Sequence, residues 1–311
     1  MPAKAPLFVT GASGYVGGHF LREARRRRWR LRCLARTPSR RRGDRVRWIQ
    51  GDLCRKGKWE RSLKGCRAVI HLATASLLEC ERDPAAAAAV ILDGTRRLLD
   101  AARRAGVKRV IFASSSEVYG DPPRLPVRES DPLSPLSIYG FLKACAEILV
   151  LRHAASACVL RFFNLYGEAV DGRPRETVLN LFARRILAGE AVAIDRSPKN
   201  SRDFLHVQDA AQALAAAINR EEASGVINIG SGCETRLLAA ARKIGAWAGH
   251  RAHPKIRSGA GRLRRMRAAT RRAQALLDFF PRQNFDDGLR QTLRAERARL
   301  HACRNPSSSA K

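Results

Sequence analysis

Tyr139 and Lys143 stand four residues apart in Tyr139-Gly140-Phe141-Leu142-Lys143, within a segment that reads as a helix from Ser137 to about Ala154. Side chains at that offset share one helix face. A lysine ammonium beside a phenol favours the phenolate. Moving a tyrosine pKa from ~10 towards ~7 takes about 4 kcal/mol of differential stabilisation. Such a pair would make a proton acceptor that works at neutral pH. The spacing alone also fits a half-buried tyrosine beside a lysine stem. It gains meaning from its company, a glycine loop near the start of the chain and the run Ser114-Ser115-Ser116-Glu117.

Those residues need elements to position them. Pro6–Thr10 is a short apolar run, read as a buried strand, and Gly11-Ala12-Ser13-Gly14-Tyr15-Val16-Gly17 follows it directly, before a helical pattern to Arg28. Glycines at spacing three let the backbone turn tightly and approach a pyrophosphate, and a helix N-terminus offers it free N–H groups. Leu31–Ala35 reads as the second strand. A dinucleotide fold usually ends this strand on an acid that holds the adenosine ribose hydroxyls. Here it ends on Ala35-Arg36, with Arg40, Arg41 and Arg42 close behind. Arginine suits a 2′-phosphate, so the expected cofactor is NAD(P) with a lean to NADP. Val46–Ile49 is a third strand, followed by Gly51-Asp52-Leu53, where Asp52 suits either the adenine amino group or a helix N-cap. Ala68–Ala73 is the fourth, with His71 read as structural, and Val107–Ala113 the fifth. Pro84–Ala105 reads as one long helix.

Strands alternating with helices at this spacing specify an α/β fold, a Rossmann-type doubly wound parallel sheet. Ligands of such sheets sit beyond the carboxyl ends of the strands. Gly11–Gly17, Ala73 and Ser114–Glu117 all fall there, which points to one shared cleft. Residues 121–137 hold five prolines and read as a loop over it. Cys158–Phe163 is a sixth strand ending at Asn164-Leu165-Tyr166-Gly167. Beyond it the expected division is a dinucleotide-binding domain over residues 1–165, to which 204–233 return, a smaller C-terminal α/β substrate-binding region over 166–203 and 234–302, and a disordered tail over 303–311.

The 311 residues include 45% hydrophobic ones, enough for a substantial interior, and no run of 18 apolar residues suggests a membrane span. Eight scattered cysteines without a C-x-x-C pair argue against zinc, other metal centres and a disulfide framework. With no signal-peptide pattern at the start, the expected compartment is the cytoplasm. The net charge is +31. Residues 22–47 hold 13 arginines, and residues 251–304 hold 15 lysines and arginines. No basic-aromatic alternation accompanies them, so the charge reads as solvated faces that steer anionic small substrates inward. Nucleic acid is not an expected partner.

Taken together, Thr10–Gly17, Gly51-Asp52-Leu53, His71-Leu72-Ala73, Ser114–Gly120, Tyr139–Lys143, Arg161–Gly167, Arg202–Asp209 and Asn228-Ile229-Gly230 resemble the extended short-chain dehydrogenase/reductase family. The similarity is to its nucleotide-sugar epimerase/dehydratase branch, and the eight signals occur in that family's order over about residues 6–300. The resemblance implies that Tyr139 is the acid/base on the reacting hydroxyl. Lys143 would hold the nicotinamide ribose and lower the tyrosine pKa. Ser115 would bond the substrate oxygen, and Glu117 would abstract or relay a proton if the reaction eliminates water. Gly11, Ser13, Gly14, Tyr15, Val16 and Gly17 would hold the cofactor together with Arg36, Asp52, Leu53, Leu72, Ala73, Tyr139, Lys143 and Phe162. Ser115, Ser116, Asn164 and Arg202, with one of Arg262, Arg264 or Arg265 (Arg265 being the register adopted), would hold the nucleotide sugar. Ile91, Leu142, Glu168-Ala169 and Ala269 depart from the family's usual residues and leave the sugar open. The leading expectation is transient oxidation at C4 by a nucleotide-sugar 4-epimerase acting as a homodimer. 4,6-Dehydration, decarboxylation or NADPH-dependent reduction stand as alternatives, and a catalytically silent NADP(H)-binding scaffold is the rival of another class.

Overall fold

The computed structural model describes residues 5–37, 45–195, 197–249, 254–257 and 264–304. Its centre is a seven-stranded sheet in the order Gly225–Ile229, Ser156–Phe162, Arg109–Ser115, Ala68–His71, Leu7–Thr10, Leu31–Ala35, Val46–Gln50. All six pairings are parallel. The order reverses next to Leu7–Thr10, where the chain leaves in one direction and later returns in the other. Ligands of doubly wound sheets bind at this switch point. Leu7, Phe8, Val9, Val69, Ile70 and Ile111 are buried, as strands covered on both faces require.

The helices Tyr15–Arg26 and Val207–Asn219 pack together over one face of the sheet, around a core that includes Phe20, Leu160, Leu214 and Ile229. Gly94–Arg104 and Ile138–His153 cover the other, around Phe8, Trp59, Leu98, Leu142 and Val159. Ile91 and Leu142, two of the departures from the family pattern, are core residues here. A third core joins Leu179, Phe182, Ile194, Phe204, Ile244 and Leu289 in the C-terminal part of the chain.

The expected long helix over 84–105 is divided. Pro84–Ala88 is α-helical with Asp83 as its N-cap, Ala89–Asp93 forms a π turn, and Gly94–Arg104 resumes the α-helix. Sequence periodicity also passed over Lys58–Leu63, Leu77–Arg82 and Arg271–Leu277, which are short. Ser76-x-x-Glu79 is a capping box that marks the second of these, with Ser76 accepting from the Glu79 N–H and Glu79 accepting from the Ser76 N–H. The last helix runs Phe285–Arg304, so residues 303 and 304 belong to it rather than to a tail, while Asn305–Lys311 lie outside the described residues.

Candidate active site

Gly11 adopts φ +69°, and a Cβ there would lie 2.5 Å from the Ala73 nitrogen. A Cβ on Gly17 would lie 2.2 Å from the Gly11 carbonyl oxygen. The loop is therefore folded onto the neighbouring strand end and onto itself, and only glycine fits at either position. The helix Tyr15–Arg26 starts at Gly14 with no side chain capping it, so its first N–H groups are left for a ligand. They face a cavity of about 730 Å³ lined by Gly11, Ser13, Gly14, Tyr15, Val16 and Gly17, by Arg36, Asp52 and Leu53, and by Leu72 and Ala73. The volume falls within the usual range for small-molecule sites. The glycine cradle, the open helix end and the size all fit a dinucleotide.

The wall also contains residues that sequence motifs passed over: Thr74, Glu79, Arg82 and Arg175. The last lies over the Tyr15 ring at 5.4 Å. Asp52 accepts from the Cys54 N–H at 2.9 Å, an Asx turn rather than a helix cap. Ala35 closes the second strand with no acid at its end, and Arg36 enters the cavity wall beside it. Arg40, Arg41 and Arg42 lie outside the described residues.

His71 holds the floor together. Thr95 Oγ1 donates to the Ile91 carbonyl, so it accepts from His71 Nε2 at 2.9 Å. Nδ1 then accepts from Thr10 Oγ1 at 2.7 Å, and Thr10 Oγ1 accepts from the Ala73 N–H. That chain of donors needs a neutral imidazole, and burial, with the Lys143 charge nearby, pushes its pKa down to about 3. The residue is a buried strut between two strand ends and a helix.

Ser137 caps the helix Ile138–His153, accepting from the Gly140 N–H at 3.0 Å. A Cβ on Gly140 would lie 2.5 Å from the Glu117 carbonyl oxygen. Glycine thus lets this helix close onto the turn that carries Ser115. Ser115 and Thr74 lie near enough to the Tyr139 phenol for their hydroxyls to favour its charged form. Thr74 also lines the cavity, which joins the tyrosine to it. Gly140→Ala should push the helix off the serine turn. A misplacement of about 1 Å costs up to roughly a hundredfold in rate. We expect kcat to fall tenfold or more while cofactor affinity, measured by fluorescence titration, holds. Unchanged turnover would show that the contact does not position the phenol.

The electrostatics differ from the sequence expectation. Lys143 is almost fully buried, and its Nζ donates to the Ala113 carbonyl at 2.7 Å, 5.8 Å from the centre of the Tyr139 ring. Burial pushes the lysine down to about 7, against the pull of Glu147. Burial also raises the Tyr139 phenol, and the Glu117 charge adds to that rise against the pull of the nearby Ser115 and Thr74 hydroxyls. Desolvation is the largest cause of both shifts, which spacing alone cannot reveal.

Glu117 pairs with Arg264, 3.2 Å from NH2 to Oε2, and its N–H donates to Ser115 Oγ. Arg264 therefore joins the C-terminal segment to the serine turn. Arg265 forms a forked pair with Glu234 at 2.6 and 2.7 Å and is half exposed. The geometry thus places Arg264, rather than the adopted Arg265, against the turn that carries Ser115, and Arg262 lies outside the described residues. Arg202 donates to the backbone carbonyls of Ser201 and Arg264. Asn164 opens a short strand paired with Phe204–His206, and its exposure is intermediate. Ser116 is only 3% exposed, which removes its side chain from the cleft surface. Phe162 ends its strand beside Ser115. Beneath these residues Arg161 pairs with Glu147, the buried acid one helical turn beyond Lys143.

Glu168, at another departure, ties the glycine helix to the C-terminal half. It accepts from Gln208 Nε2 at 2.8 Å and faces His206 at 3.5 Å, while its carbonyl bonds His19 Nε2 at 2.9 Å. The neighbouring His206, with the bond from Gln208, holds its carboxyl down at about 2 against burial.

Comparison with known proteins agrees with this geometry. The model of the "NAD dependent epimerase/dehydratase family" matches residues 7–230. A UDP-glucose 4-epimerase of Mycolicibacterium smegmatis is 32% identical over 72% of this chain and 74% of its own length. A dTDP-glucose 4,6-dehydratase of an Actinoplanes species is 29% identical over 94% and 98%. Among solved structures, MoeE5 in complex with UDP-glucose and NAD superposes with a TM-score of 0.85 at 31% identity, over 95% of this chain and 99% of that one.

Proposed function

The chain belongs to the NAD-dependent epimerase/dehydratase family, and from that premise we propose that it is an NAD(P)-dependent 4-epimerase of a nucleotide-diphosphate sugar. In this reading Tyr139 takes the proton from the sugar 4-hydroxyl and returns it after the 4-keto sugar has turned over. Ser115, beside the phenol, holds the reacting oxygen and relays the proton. A bound nicotinamide would supply the hydride chemistry at C4, and the positive charge of its oxidised ring would favour the phenolate. Lys143 orients the ribose from the same helix face.

The observation that carries epimerisation over elimination is the Glu117–Arg264 pair. Elimination of water needs an acid for the leaving hydroxyl and a base for the neighbouring carbon. Ser116 is buried beside the turn, and Glu117 Oε2 is engaged by Arg264, so in this arrangement neither side chain is free to serve the leaving hydroxyl. Arg36 and Arg82 in the cavity wall, with no acid ending the second strand, favour NADP, as a 2′-phosphate prefers forked guanidinium donors. Arg264 and Arg202 are the proposed holders of the diphosphate end.

The test is incubation with UDP- and dTDP-glucose and catalytic NAD or NADP, followed by NMR of the sugar. We expect inversion at C4 with no net consumption of cofactor. A 4-keto-6-deoxy product, or stoichiometric oxidation of NADPH, would replace the epimerase reading with dehydratase or reductase.

A homodimer is part of the proposal. Phe141, Ile148 and Leu151 are 58%, 58% and 41% exposed on the helix Ile138–His153, an apolar face on the element that carries Tyr139. We assign it to a second copy of the chain. Light scattering should give twice the 34.4 kDa chain mass, and Phe141→Asp with Ile148→Asp should give the monomer. A wild-type monomer at micromolar concentration rejects the assignment.

A further inference from the structure

We propose that the edge of the sheet opposite the cleft binds the phosphate backbone of single-stranded nucleic acid. Composition assigned the positive charge to dispersed solvated faces, but the strand register regroups it. Arg45, Arg30, Arg67 and Lys108 each stand one residue before a strand of the central sheet. Their backbone bonds place them in one row: Leu31 N–H donates to Arg45 O, Leu7 N–H to Arg30 O, Arg67 N–H to Pro6 O, and Ser156 N–H to Lys108 O. Equivalent positions in neighbouring parallel strands are about 4.8 Å apart and project to the same side of the sheet. Four cations thus form a ridge on the order of 20 Å long that follows the twist of the sheet, interrupted only at Pro6.

The end of the helix Tyr15–Arg26 thickens the ridge. It stops in a Schellman arrangement, Trp29 N–H to Ala24 O and Arg28 N–H to Arg25 O. The left-handed residue, usually glycine, is Arg28 at φ 57°. Trp29 holds the guanidiniums of Arg27 and Arg67 at 5.5 and 5.7 Å from its ring, which fixes two of the charges in place. Two acids intrude, Glu23 on Arg27 at 2.6 Å and Glu221 near Arg67 at 3.7 Å. Arg30, Arg45 and Lys108 are exposed and have no acidic partner among the described residues. A narrow row of regularly spaced, partly immobilised cations suits a chain of phosphodiesters better than a small anion. It is remote from the cavity of the proposed catalytic site, so binding there leaves that site open and does not depend on the epimerase reading.

The test is fluorescence anisotropy of a labelled 20-nucleotide oligo(U) with the full chain. With four phosphate contacts the affinity should fall about 50-fold between 50 and 200 mM salt. The variant Arg30→Glu, Arg45→Glu, Arg67→Glu, Lys108→Glu should lose at least tenfold in affinity at 50 mM salt. The glutamine set at the same positions serves if the reversed chain does not melt cooperatively, and it should flatten the salt slope. Reversal of the exposed Arg124, Arg242, Arg271 and Arg294 should leave affinity within about threefold. No binding at 50 mM salt overturns the proposal. So does equal loss in the control set, which would mean diffuse charge, or a preference for anionic phosphatidylserine vesicles over oligo(U) at equal phosphate.

Discussion

Tyr139→Phe should lower turnover about 10²- to 10⁴-fold, the usual contribution of a positioned acid/base, while cofactor affinity changes little. The ring is retained, so its packing against the core beside Leu142 and Ala146 is retained too. What is lost is one hydroxyl, the group that lies near Ser115 and Thr74. The cradle that holds the cofactor lies elsewhere, in Gly11–Gly17 and the cavity wall, and does not include the phenol. The two readouts must therefore separate: kcat collapses, and the dissociation constant from fluorescence titration stays within about threefold. Retention of more than a tenth of wild-type turnover would remove Tyr139 from the chemistry. Loss of cofactor affinity in step with kcat would instead make the tyrosine a binding residue.

The glycine loop was legible because its demands are local. Strand, three glycines and helix follow one another without a gap, and the clash distances at Gly11 and Gly17 restate what that spacing requires. The parallel sheet followed from the alternation of apolar strands and helices, and each of its seven strands lies within two residues of its expected place, while the short strands outside it went unread. Three things were not legible. The sign of the Tyr139 and Lys143 shifts depends on burial, which a four-residue spacing does not report. The choice between Arg264 and Arg265 depends on which of two adjacent side chains in an irregular segment meets Glu117 and which meets Glu234. The basic ridge depends on strand register, which brings together residues far apart in the chain. The short helix Leu77–Arg82 falls between these cases, since periodicity cannot mark six residues, yet the Ser76–Glu79 capping box was there to be read.

Glu147→Ala should cost about 3–5 kcal/mol of stability, the usual effect of leaving one partner of a buried ion pair alone. Arg161 gives Glu147 three bonds, from Nε to both carboxylate oxygens and from NH2 to Oε2 at 2.6 Å. Ser114 Oγ donates a fourth. On its other side Arg161 donates to the Tyr119 hydroxyl at 2.7 Å, which in turn donates to Asn228 Oδ1 at 2.7 Å. The network therefore braces the serine turn, the helix that carries Tyr139 and the outermost strand against one another, with both charges almost wholly buried. For a chain of this size the melting temperature should drop on the order of 10 °C. Glu147 also supports the charge on Lys143, one turn away. Glu147→Gln, which keeps the shape and some of the bonds, should thus separate the two roles: a smaller loss of stability, and a shift in the pH profile of kcat that a purely structural brace would not produce. The double variant Glu147→Leu, Arg161→Met removes both charges and should recover part of the stability lost by Glu147→Ala alone. A single variant melting within 1 °C of wild type would mean that Arg161 finds water or another acceptor. The buried pair would then not be what aligns Tyr139 with Ser115.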